Sequence, residues 1–283
     1  MRATKIYRFA MIIAILCCGV IFYSCQNAGD QIVTDEIQFE EYVPTAADIK
    51  SETERIINDM FKMSSNSLTY YDKLMAAYNF IQKPADWSDS IIYRYENGFH
   101  IWEGEITDAE NPDSYDGSYL RKMQFKDVLN GNIIENPELA DFMGYLITLE
   151  GKYGFVNGSL MGDHLKESLQ GQWVGLLNQP VFNGTGFYQR KWRGQWSRDG
   201  EVYRNMQVNY RVDITINNML LNLSPDDYSL TGDILLSMPP YNAIARCNNS
   251  KIAIVDVYKE GSYMMTFEML IPNLYGFDFG LGL

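Results

Sequence analysis

The side chains able to act as nucleophile, base or metal ligand are few, because the chain holds two histidines and four cysteines. His100 stands two residues before Trp102 in an extended stretch and reads as a structural imidazole. Gly162-Asp163-His164 lacks the second nearby histidine that a zinc site requires, so no metal is expected. Cys247 has no cysteine partner or neighbouring histidine and reads as a buried thiol. Gly158-Ser159 has no nucleophile-elbow context, and no phosphate loop or dinucleotide fingerprint occurs, so no cofactor is expected. Paired carboxylates hydrolyse glycosidic bonds. Glu103, Glu105 and Asp108 are clustered, but they read first as a solvated strand edge. Four aromatic residues in polar surroundings, Trp87, Trp173, Tyr188 and Trp196, are candidate platforms for a sugar ring.

One cysteine carries a different chemistry. Arg2, Lys5 and Arg8 precede a short apolar run, Phe9 to Phe22, which ends in Phe22-Tyr23-Ser24-Cys25. The run is too short for an ordinary membrane-spanning helix, which needs roughly 20 apolar residues. A basic start, a short apolar core and a small residue at its end make a secretory signal. The small residue before the cysteine resembles the lipobox of bacterial lipoproteins, in the looser form of the Bacteroidetes type. Phe22 and Tyr23 stand where most lipoboxes have leucine and a small residue. The resemblance covers about 25 residues. It implies cleavage after Ser24, acylation of the Cys25 thiol and a membrane anchor. Gln26 in the next position leans the sorting expectation toward the outer membrane.

Removing residues 1–24 leaves 20 basic against 36 acidic residues, a net charge of -16 compared with -13 for the whole chain. Such a chain has no electrostatic footprint for nucleic acid, and its body is repelled by anionic bilayers. Cys17 and Cys18 leave with the signal, so no intrachain disulfide is expected in the mature protein.

The elements that must position any site follow from the periodicity. Residues 25–44 are acidic and read as a tether. Residues 45–83 read as a helical pair: Thr45 to Asp48 makes a capping box, Ser64 to Ser67 a polar break, and Pro84 a stop. From residue 90 the period changes to two, most clearly over 206–216 and 263–271, and Glu260-Gly261 supplies a hairpin turn. Only 163–170 suggests a helical stripe within this region. The expected fold class is mainly β (α+β), with antiparallel sheets in residues 84–283 and the helical pair packed on them.

Two stretches share the order Gly-Phe, Trp-x-Gly, Asp-Gly, Arg-x-Met-Gln. They start at Gly98 and at Gly186, and the first carries a seven-residue insertion. This suggests two duplicated β-meanders, about 97–165 and 185–250. The expected function is a non-catalytic binding or scaffold role in the cell envelope, with a lipid or other apolar ligand favoured. A glycan binder or envelope-protein partner is an alternative, and a carboxylate hydrolase is another. A lipid carrier needs a continuous apolar cavity, a glycan binder a flat exposed aromatic strip, and an enzyme converging carboxylates in a cleft.

Overall fold

The computed structural model describes residues 40–41, 43–79, 91–107, 115–153, 162–198, 201–223 and 227–273. One helix, α1 (Ala46–Asn79), is followed by a meander of antiparallel strands. The strands are β2 (Ile91–Glu96), β3 (Phe99–Thr107), β4 (Tyr115–Asp127), the short β5 (Ile133–Ile134), β6 (Ala140–Tyr153), β7 (Gly162–Val174) and β8 (Val181–Arg198). They continue with β9 (Glu201–Leu223), β10 (Tyr228–Met238), β11 (Tyr241–Ser250), β12 (Ile252–Lys259) and β13 (Ser262–Leu270). Apart from β5, which caps the end of β4, each strand pairs with its neighbours in sequence, giving one open sheet from β2 to β13. Before the helix, β1 (Glu40–Glu41) pairs in parallel with Met206 and Gln207 of β9, so the expected tether carries a short strand at its end.

The sheet follows the alternation that the sequence displays. Val212, Ile214 and Ile216 are buried, while Asn209, Arg211, Asp213 and Thr215 are exposed. The tight turns are Asn97-Gly98 and Glu260-Gly261, all four with the positive φ that a type I′ hairpin demands. Residues 163–170 form part of β7 and not a helix. Hydrogen-bonded strands on both sides hold them extended, and Leu165, Glu167 and Leu169 point to the same inner face.

The expected helical pair is a single 34-residue helix. Its polar middle does not break it, because Ser64, Ser65, Asn66 and Ser67 are all buried and find partners. Ser64 Oγ donates to the Met60 carbonyl at 2.8 Å. Asn66 accepts from Arg121, and Ser67 Oγ accepts from the Trp173 indole at 2.6 Å. A run that favours loops in isolation is held helical by acceptors and donors on the sheet.

The helix crosses the inner face of the sheet like a spar. Lys50 lies 5.3 Å from the Phe267 ring of β13, and Tyr210 of β9 donates to Glu52. Arg55 sits over Tyr188 of β8 and 3.7 Å from Glu167 of β7. Tyr145 of β6 donates to the Met63 carbonyl at 3.3 Å, and Tyr70 packs edge-on to Trp102 of β3. Helix order thus matches strand order. Nine strand spacings separate β13 from β3, about 43 Å along the sheet. The helix rises only about 30 Å between Lys50 and Tyr70. The sheet therefore curls around the helix. Where it curls, Gly171 and Gly184 face each other on β7 and β8, and the Phe182 ring occupies the space a side chain would need. The shared core runs from Ile49 and Ile56 on the helix through Trp102, Trp173 and Phe182 to Val255 and Met269.

Candidate functional site

Two polar assemblies stand out, one under the helix and one on the outer face of the sheet. The inner one is a chain of charges. Arg55 donates to Glu52 (3.0 and 2.8 Å) and to Asp59 (3.2 Å), and Lys62 donates to Asp59 (3.2 Å). Glu167 enters from β7. Burial, with the Asp59 carboxylate beside it, holds the Glu167 carboxyl well above the usual range. The strand neighbours Arg190 and Asp163 close the row with a forked ion pair, 3.1 to 3.2 Å from Nε and 2.6 Å from Nη2. Further along α1, Arg121 is wholly buried over the Tyr70 ring and donates to Asn66. These groups join helix to sheet, and their neighbours are one another.

The outer assembly is an open groove of about 710 Å³ near one end of the sheet, across β4, β6, β7, β8 and β9. Outward positions on neighbouring strands make it. In β4, Lys122, Gln124 and Lys126 alternate with the inward Arg121, Met123 and Phe125. Register places Gln124 beside Gly144, Gly144 beside Gln172, and Gln172 beside Asn183. The next row holds Lys122, Leu146, Gln170, Thr185 and Thr215. Gly144 forms the floor, since it is the outward residue between Phe142 and Leu146 and carries no side chain. A Cβ there would meet only ordinary contacts, 3.7 Å from Phe142 and 3.8 Å from the Gln124 carbonyl oxygen. Phe99 and Phe142 supply apolar edges, and Lys126 lies 4.9 Å from the centroid of the Phe142 ring.

The groove is chemically distinct from the rest of this acidic chain, because its lining has two lysines and no carboxylate. Amide side chains each offer two donors and an acceptor, and hydroxyls offer both. The arrangement can hold a ligand rich in hydroxyls or neutral-to-anionic oxygens. It has no nucleophile paired with a base.

The residues singled out from the sequence do not converge. Trp173 is buried and packs 5.1 Å from Phe182, with its indole nitrogen spent on Ser67. Tyr188 is buried under Arg55, 4.2 Å from its guanidinium carbon. Neither presents a platform: the sheet alternation turns both inward, which overrides the polar residues beside them in sequence. Trp196 belongs to β8, paired with Arg204, and its side chain lies outside the described residues, as do Trp87, Cys25 and Asp108. His100 is buried and structural in setting. Its Nε2 faces the Glu135 carbonyl at 2.9 Å, and its Nδ1 faces the Tyr93 hydroxyl at 2.9 Å. His164 faces Glu150 at 2.8 Å on the outer surface. With Lys166 at 2.7 Å as well, Glu150 is pulled down to about 2, chiefly by the lysine. Glu103 is paired with Arg94, and burial pushes the Cys247 thiol up to about 12. No group of three metal-ligating side chains occurs among the described residues, and no helix there is long and apolar enough to cross a membrane.

Sequence reasoning missed the groove because its residues are common surface types. The period-two pattern marks Gln124, Gln172 and Asn183 as outward, yet only strand pairing brings them side by side. Among known proteins, no family model matches the chain, and no curated protein or solved structure matches it significantly.

Proposed function

We propose that the chain is a membrane-anchored lipoprotein of the cell envelope, sorted to the outer membrane, whose sheet is a non-catalytic scaffold that binds a glycan in the outer groove. The observation that carries the ligand is the groove's lining: amides, hydroxyls and two lysines around a glycine floor, with no carboxylate. Sugars are recognised by such convergent polar side chains, with an aromatic edge against their C–H faces. The anchor rests on the basic, apolar and Ser24-Cys25 sequence at the N-terminus.

Less supports a lipid on the inner face. There α1 already covers the sheet, and the contact includes Arg55, Glu167, Arg121 and Asn66 rather than a continuous apolar lining. Hydrolysis has less support still, because the most strongly raised carboxyl among the described residues, Glu167, is buried beneath the helix.

We also propose that the two meanders arose by duplication. Trp102 lies opposite Arg121 on its hairpin, whereas Trp192 lies opposite Val208, so the copies would differ by a shift in pairing as well as by the insertion.

The test is binding of the chain from residue 26 onward to an array of neutral and acidic oligosaccharides, beside Gly144→Leu and Gln172→Ala. Gly144→Leu fills the floor, its Cβ making only ordinary contacts, and should abolish binding while leaving the melting temperature within a few degrees. Gln172→Ala should weaken binding about tenfold, the worth of one lost hydrogen bond to a ligand. No retained oligosaccharide, or retention that Gly144→Leu leaves intact, would overturn the proposal.

A further inference from the structure

Beyond the groove, one end of the sheet exposes an unusual number of aliphatic side chains. Val128, Leu129, Ile133, Leu139, Val174 and Leu177 are 51, 83, 51, 62, 45 and 49% exposed. They come from two connections, β4 to β6 and β7 to β8, which are pinned together. The Val128 amide donates to the Leu139 carbonyl at 3.3 Å. The Gly175 and Leu176 amides donate to the Asp141 carbonyl at 3.0 and 3.3 Å. The turn that lifts Leu129 is itself fixed, since the Asp127 carboxylate accepts the Asn130 and Gly131 amides at 2.5 and 3.0 Å. The backbone bonds thus hold these aliphatic side chains together in a rim at one end of the sheet, with Glu135 and Glu138 exposed among them.

Two features say what the rim fits. Leu129 and Leu177 protrude from turns and Leu139 from a single 3-10 turn, a shape suited to entering acyl chains. Directly above it on the outer face comes Lys126, then Gln124 and Lys122. An apolar tip below an amide-and-lysine band is the polarity order of a bilayer interface, where long lysines keep their stems in the apolar zone and their charge in water. Reach is also consistent. The rim lies at the β9 position of Leu220, and β1 joins β9 at Met206 and Gln207. The separation is about 43 Å along the strand. Residues 26–39 span at most about 48 Å when extended. An anchor on Cys25 and the rim can therefore touch the same membrane.

We propose that this rim is a bilayer-contact surface, inserting Leu129, Leu139 and Leu177 into the interface of a zwitterionic membrane. The acidic body disfavours an anionic one. The rim's insertion is independent of acylation, so its failure and the failure of the anchor are separable.

The experiment is flotation of the unacylated chain, residues 26–283, with phosphatidylcholine vesicles. The native rim should float with the vesicles, insensitive to salt. Leu129→Asp with Leu177→Asp should lower the floated fraction about tenfold or more. A polarity-sensitive fluorophore on Leu129→Cys should shift to the blue on vesicles and be quenched by brominated acyl chains. The same label on Ser262→Cys, at the far end of β13, should not respond. A native chain that stays in solution overturns the proposal. So does flotation unchanged by the double substitution. A dimer in solution that the double substitution dissociates also overturns it, since the rim would then belong to a second copy.

Discussion

Asn66, in the middle of α1, accepts a hydrogen bond from the guanidinium of Arg121 on β4, and both side chains are wholly buried. This contact, with Ser67 and Trp173 beside it, explains how one helix passes through a Ser-Ser-Asn-Ser run without breaking. A buried cation that loses an acceptor is left with its desolvation uncompensated. Asn66→Leu should therefore cost about 3 to 5 kcal/mol of stability, read from urea unfolding. Arg121→Met should cost less, and the pair together should recover much of the loss, because an apolar pair asks for no partner. Additive losses in the double variant would show that Asn66 and Arg121 act separately.

Low pH should unfold the protein through His100. Burial lowers its pKa from 6.5 to about 4, against the weaker opposing pull of the Glu135 carbonyl. The ring is neutral, with Nε2–H donating to Glu135 and Nδ1 accepting from Tyr93. A folded pKa below the unfolded one means the unfolded chain binds the proton more tightly. The stability is thus fully present above pH 6.5 and is lost as the pH falls toward 4. That lowering of the pKa corresponds to about 3 kcal/mol at most. Urea midpoints measured at pH 7 and pH 4.5 should differ for the native chain. His100→Gln should remove that part of the difference. A variant with an unchanged slope would place the acid sensitivity elsewhere.

Much of the fold is legible from period and turns. The alternating run 206–216 lies within β9, the run 263–271 covers β13 but for its first residue, and Glu260-Gly261 is the β12–β13 turn. The failures share one cause: a local pattern was decided by a distant partner. Ser64 to Ser67 reads as a break because serine and asparagine bond their own backbone when nothing else is offered. Residues 163–170 read as helical because Leu165 and Leu169 are four apart, although Leu165, Glu167 and Leu169 also share one strand face. Trp173 and Tyr188 read as exposed because of polar neighbours, although parity with Leu169 and Phe182 turns them inward. Parity also carried an unused signal: Arg121 shares a face with Met123 and Phe125, which marks a buried cation needing a partner. The groove was beyond reach, since no local pattern says that Gln124, Gln172 and Asn183 adjoin.

The anchor is tested by chemistry at one atom. If the Cys25 thiol is acylated, the chain should pellet with membranes and incorporate labelled palmitate. Cys25→Ser removes the only atom that can take the diacylglyceryl group, so label should vanish and the protein should move toward the soluble fraction. The rim sharpens this expectation. A single weak apolar contact gives reversible binding, whereas two acyl chains hold a protein firmly. Cys25→Ser should therefore leave a residual, wash-sensitive membrane fraction, and adding Leu129→Asp with Leu177→Asp should remove it. Full retention of Cys25→Ser with undiminished palmitate would show that Cys25 is not the attachment point.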